Sequence, residues 1–138
     1  MTATDLVHRP LGGARVLVAE GDADDSVVLT AVLRLNGFDA REARTAEAAL
    51  KATSETRPSV LVVDLDLPDQ DGCALIRRVL RLPNPPAVVV VTAHTAESVR
   101  RAATAAGASA FLLKPADPVE LAKLVGQLSE EQLSRKTG

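Results

Sequence analysis

Short apolar runs alternate with stretches of helical period along most of the chain. Arg15, Val16, Leu17, Val18 and Ala19 form the first run, which reads as a buried strand. Residues 23–36 follow with Val28, Val32 and Leu35 at i, i+4 and i+7, widened by Leu29 and Leu33. That spacing predicts an amphipathic helix with this stripe toward the core, stopped by Gly37. Residues 38–42 read as a short second strand, and Thr45 as the N-cap of a helix over 46–54 with Glu47 near its positive end. Val60, Leu61, Val62 and Val63 are apolar on both faces, as a central parallel strand requires, and run into Asp64. A loop to Gly72 leads to a helix over 73–81, ended by Pro83. The valine-rich run 87–91 is the fourth strand and ends at Thr92. A helix over 96–106 then stops at Gly107, and Ala110, Phe111, Leu112 and Leu113 form a fifth strand ending at Lys114-Pro115. The last helix has a well-marked start, with Asp117 at the N-cap, Pro118 in the first position and Glu120 in the third, a capping box.

Five strands alternating with five helices predict a doubly wound α/β domain, a parallel sheet with helices on both faces. In such sheets ligands bind outside the carboxyl ends of the strands, where the strand order reverses. The polar residues gather at those ends: Glu20 and Asp22 after the first strand, Asp64 and Asp66 after the third, Thr92 after the fourth and Lys114 after the fifth.

Composition narrows the field. The chain has 138 residues, enough for one domain, and 46% are hydrophobic, yet only two are Phe and none is Trp or Tyr, so the core must be aliphatic. A net charge of -2 supplies no basic excess for general nucleic-acid binding. The single cysteine, Cys73, excludes an internal disulfide and reads as a small buried filler. No apolar run approaches the ~20 residues that span a bilayer, and the opening residues, with Asp5, His8, Arg9 and Pro10, do not resemble a signal peptide. A cytoplasmic protein is expected. Residues 1–14 read as a flexible lead, 15–128 as the domain, and 129–138 as a polar tail that extends the last helix before fraying.

Crowded acids at adjacent strand ends repel one another and raise each other's pKa values, unless a cation relieves them. Carboxylate oxygens suit Mg2+. With Lys114 as a fixed positive charge and Thr92 as a hydroxyl donor, the constellation makes a pocket for a phosphoryl group carried on Asp64, where the chemistry needs mainly positioning and charge neutralisation.

The run Asp64-Leu65-Asp66-Leu67-Pro68-Asp69-Gln70-Asp71-Gly72 resembles the phosphoacceptor loop of response-regulator receiver domains. Val91-Thr92-Ala93 and Leu113-Lys114-Pro115 resemble that family's other two signatures, and the likeness extends over residues 14–128. The resemblance implies a flavodoxin-like fold with strand order 2-1-3-4-5. It implies Asp64 as phosphoacceptor, Glu20 as the first of an acidic pair, and the Asp66 main-chain carbonyl as a Mg2+ ligand beside Glu20 and Asp64. Thr92 would bind the phosphoryl group and move with the switch aromatic Phe111, and Lys114 would pair with the phosphoryl group across a cis Lys114-Pro115 bond. His94 and Asp66 stand at positions that tune phosphoryl lifetime, and Ala93 leaves the group accessible. Its implied partners are a histidine kinase or phosphotransfer protein and a downstream protein target, reached through the face of the fourth helix, fifth strand and fifth helix. A second copy could use the same face; no direct nucleic acid and no membrane contact is implied.

The chain departs from the family at Glu20-Gly21, because Gly21 falls where a directly coordinating Asp stands. Either Asp22 swings in to restore the carboxylate or water fills the position. The departure motivates an alternative, a pseudo-receiver that binds partners but is poorly phosphorylated. Asp64-Leu65-Asp66 also imitates the nucleophile and acid of haloacid-dehalogenase phosphatases, but Pro68 follows and no later acidic pair appears. Plainer readings apply to single residues: His94 as an exposed loop residue, Phe111 as core, Asp22 as a helix cap, and Arg77-Arg78 and Arg100-Arg101 as solvated helix faces.

Overall fold

The structure, a computed structural model, describes residues 13–137. Residues 1–12, most of the expected flexible lead, lie outside the described residues. The elements follow in strict alternation: β1 (Arg15–Ala19), α1 (Ala23–Leu35), β2 (Asp39–Ala43), α2 (Ala46–Thr56), β3 (Val60–Val63), α3 (Gly72–Val79), β4 (Ala87–Thr92), α4 (Glu97–Ala106), β5 (Ala110–Leu113) and α5 (Pro118–Thr137). The strands form one parallel sheet in the order β2-β1-β3-β4-β5. The order reverses between β1 and β3, which makes their carboxyl ends the switch point.

Alternation along each strand divides an aliphatic core into two layers. Leu17, Ala19, Leu61, Val63, Val88 and Val90 meet α2, α3 and α4 through Ala46, Ala49, Leu75, Ile76, Val79, Ala103 and Ala106. Val16, Val18, Val60, Val62, Val89 and Val91 meet α1 and α5 through Leu29, Leu33, Leu121 and Val125, with Phe38 alongside. Each fully buried Val or Leu stabilises the fold by about 1.5–3 kcal/mol relative to exposure.

Two expectations are corrected. The stripe on α1 is turned from the expected one: Leu29 and Leu33 are buried and Val32 partly so, but Val28 is 59% and Leu35 is 87% exposed, and Ser26 and Thr30 complete the buried face. Small hydroxyl residues let the helix lie close to the sheet, and the Ser26 hydroxyl donates to Glu42 Oε1 at 2.6 Å. At the other end, residues 129–137 extend the last helix, as expected, but not as a loose tail. They continue α5, with Ser129 and Gln132 buried, and the Gln132 amide donates to the Pro85 carbonyl at 2.8 Å. The capping at Asp117 is as expected, its Oδ1 accepting from the amides of Val119 (2.8 Å) and Glu120 (3.2 Å).

Register decides what stands together at the carboxyl edge. Ala19 pairs with Val63, so Glu20 and Asp64 leave the sheet side by side, the Asp64 amide donating to the Ala19 carbonyl at 2.9 Å. Thr92 pairs with Leu113, and the Lys114 amide donates to the Thr92 carbonyl at 2.8 Å.

Candidate functional site

Lys114 is the centre of the site. Its ammonium donates to Glu20 Oε1 at 2.5 Å, to Asp64 Oδ2 at 2.8 Å and to Asp25 Oδ2 at 2.8 Å. Burial pulls the ammonium toward neutrality, but the hydrogen bonds to Asp25, Asp64 and Glu20 outweigh it and hold its pKa above the ordinary lysine value. The Glu20 carboxyl, 1% exposed, is pushed up by burial and further by the Asp64 charge, against the downward pull of Lys114 and of the Asp22 amide.

Asp22, expected among the metal ligands, does not join this group. Its carboxylate caps α1, Oδ1 accepting from the Asp25 amide at 2.9 Å, which satisfies one of the open donors of the first helical turn. The acid that reaches inward is Asp25, three residues on, which sequence reasoning missed. Its one signal was its place on the first turn of a helix whose N-cap already stood at the strand end. Gly21 offers no carboxylate, and a Cβ there would stand 3.0 Å from Pro68 Cδ and 3.6 Å from the Asp66 carbonyl oxygen.

The loop after β3 is braced from both sides. The Asp66 amide donates to Asp64 Oδ1 at 3.0 Å. The Gly72 amide donates to the Leu65 carbonyl at 2.9 Å, and a Cβ at 72 would meet Leu65 Cα at 2.6 Å, so the close crossing needs glycine. Asp69 caps α2 from a distance, accepting from the Ala46 amide at 2.7 Å and the Glu47 amide at 3.0 Å, and these donors hold its carboxyl below the usual range. Arg78, read as a solvated face, donates to Glu47 at 2.8 Å and ties α3 to α2.

The mouth is crossed by His94 and Asp66. His94 Nε2 lies 2.9 and 2.8 Å from the two Asp66 oxygens, and that carboxylate raises the imidazole pKa. Thr92 is fully buried, its hydroxyl accepting from the His94 amide at 3.2 Å. The Lys114-Pro115 peptide is cis. Phe111 is partly buried, with the Arg100 guanidinium 5.7 Å above its ring.

The structure therefore brings Glu20, Asp64 and Lys114 together, sets Thr92 at the neighbouring strand end, pairs His94 with Asp66, and adds Asp25. The Glu20 and Asp64 carboxylates and the Asp66 carbonyl are hard oxygens, which fits Mg2+. Among the described residues no three acids gather into a group that could hold a metal ion. Mg2+ does not require one, because it keeps several waters and is commonly held through one or two carboxylates.

A doubly wound sheet with acids and a lysine converging at its switch point defines a class of signalling domain. The chain belongs to the response-regulator receiver-domain family, whose model matches residues 16–126. It is 35% identical over 124 residues to the transcriptional regulatory protein PrrA of Mycobacterium leprae, covering 90% of this chain and 51% of the relative. It is 36% identical over 114 residues to an uncharacterized 14.6 kDa protein of Leptolyngbya boryana, covering 81% and 87%. The chain thus spans about half the length of PrrA. A CheY-like receiver domain protein from Methanospirillum hungatei superposes with a TM-score of 0.81 over 91% of this chain and 98% of that one; at 24% identity this speaks for the fold alone. Receiver domains as a class work with Mg2+. No helix among the described residues is long and apolar enough to cross a membrane.

Proposed function

We propose that this receiver domain takes a phosphoryl group on Asp64 from the phosphohistidine of a histidine kinase or phosphotransfer protein. The observation that carries the reading is the convergence of Glu20 and Asp64 on the Lys114 ammonium at the sheet's switch point. An Asp64 carboxylate oxygen attacks phosphorus, the P–N bond breaks, and its electron pair leaves with the donor imidazole. Lys114 pairs with the phosphoryl oxygens and balances the added negative charge. Glu20, Asp64 and the Asp66 carbonyl would hold Mg2+, which would supply further charge neutralisation. Thr92 turns toward the phosphoryl group, and Phe111 follows on β5. The His94–Asp66 pair at the mouth limits water access and so tunes the lifetime of the acyl phosphate. The changed surface of α4, β5 and α5 is then read by a downstream protein or a second copy, in the cytoplasm where such donors act.

The bare position at Gly21 favours one competing reading, a binding module that keeps the fold without the chemistry. Intact-protein mass after acetyl phosphate and Mg2+ separates the two. The switch reading expects a gain of one phosphoryl group in the wild type and none in Asp64→Asn. A wild type that stays unmodified while Gly21→Asp gains the group supports the binding module, and a gain that survives in Asp64→Asn overturns the assignment of the acceptor.

A further inference from the structure

We propose that Asp25 is a positioning residue for Lys114, one that competes with the phosphoryl group for the lysine's ammonium; the inference rests on the phosphoacceptor reading of Asp64. An ammonium has three donor hydrogens, and Lys114 has three carboxylate partners, Glu20, Asp25 and Asp64. Its donor capacity is full. A phosphoryl oxygen arriving on Asp64 must therefore displace a partner, and the three differ in what release costs. Glu20 is buried and its second oxygen accepts from the Asp22 amide at 3.0 Å, which fixes it beside the ammonium away from water. Asp64 is itself the acceptor. Asp25 is 47% exposed on the first turn of α1, where water can solvate a freed carboxylate. It is the partner that yields. While it holds, it saturates the lysine and opposes the incoming anion; once it yields, Lys114 is free to bind a phosphoryl oxygen. The side chain thus sets how tightly the site holds a phosphoryl group, from a position five residues beyond Glu20 and separate from the vacant carboxylate at Gly21.

Beryllofluoride, a phosphoryl mimic, tests this in the full chain with Mg2+ in excess, followed by the amide resonances of Asp64, Thr92 and Lys114. Asp25→Asn should tighten beryllofluoride binding about three- to tenfold and speed proton exchange of the Lys114 ammonium in the free protein. Asp24→Asn, which removes the same charge from the same turn, should stay within about twofold, as should Asp25→Glu, which can still reach the ammonium. In the wild type the Asp25 carboxyl 13C resonance should move on saturation while that of Asp24 stays, a readout that needs no variant. Equal affinity in all four proteins, or weaker binding in Asp25→Asn, overturns the role of Asp25 and leaves the receiver reading intact. If no protein binds beryllofluoride, the receiver reading fails and the inference with it.

Discussion

β3 and β5 deliver opposite charges to one site from opposite environments. Val60–Val63 is buried throughout and paired on both sides, between β1 and β4. In Ala110–Leu113 no residue is fully buried, Leu113 is 48% exposed, and the strand pairs only with β4. Yet Asp64, following β3, and Lys114, following β5, meet at 2.8 Å. The proposed acceptor is mounted on the part of the molecule that is hardest to deform, and its counterion on an edge with fewer contacts to lose. A switch needs that asymmetry, because a bistable element must cost little to move while the reacting atom stays in place.

The comparison breaks if the two strands respond alike to truncation. Leu61→Ala should cost about 2–5 kcal/mol through the cavity it leaves in a fully buried site, whereas Leu113→Ala should cost under about 0.5 kcal/mol; urea denaturation measures both. Equal losses would mean that β5 is as firmly held as β3. Glu20→Gln sharpens the view from the interior side. Burial raises the Glu20 pKa in the folded state, so the folded protein holds that proton more tightly and loses the associated stability as pH rises from about 4.5 through the raised folded value. The amide carries no proton to lose, so the gap in melting temperature between variant and wild type should move in the variant's favour as pH rises above about 4.5. A flatter pH dependence above about 4.5 should accompany it. Hydrogen exchange reads the same contrast without a variant: the amides of Leu61, Val62 and Val63 should exchange only on global unfolding, those of Phe111 and Leu112 earlier through local opening. The smallest effect belongs to Asp69→Ala, which should lower the melting temperature by a degree or two. Backbone amides depress the Asp69 pKa in the folded state, so its contribution is present above the unfolded value near 3.8 and fades as pH falls through the depressed one. Melting curves at neutral and acid pH should converge with the wild type at the acid end.

Much of this molecule was legible beforehand for a simple reason. Runs such as Val60–Val63 and Ala110–Leu113 are apolar, short and bounded by loop residues, and both strands fall where the pattern put them. The N-cap at Asp117 is equally local, since its donors lie two and three residues away. The C-terminal segment was harder to read. Ser129 and Gln132 are polar, and what buries Gln132 is a hydrogen bond to Pro85, 47 residues distant. The trans cap by Asp69 escaped for the same reason, as its partners lie 22 and 23 residues away.

The order of strands and helices, the polar groups at four strand ends and the resemblance of three short motifs are all properties of neighbours in the chain, and the amino-acid sequence alone determined them. Which acid reaches Lys114 was decided by the tertiary structure. The chain pointed to Asp22 and gave no reason to consider Asp25, whose reach depends on how α1 is turned about its axis to seat Ser26, Leu29 and Leu33 against the sheet. That rotation fixes a contact between residues 89 apart, and packing across the whole sheet, rather than any local pattern, sets it.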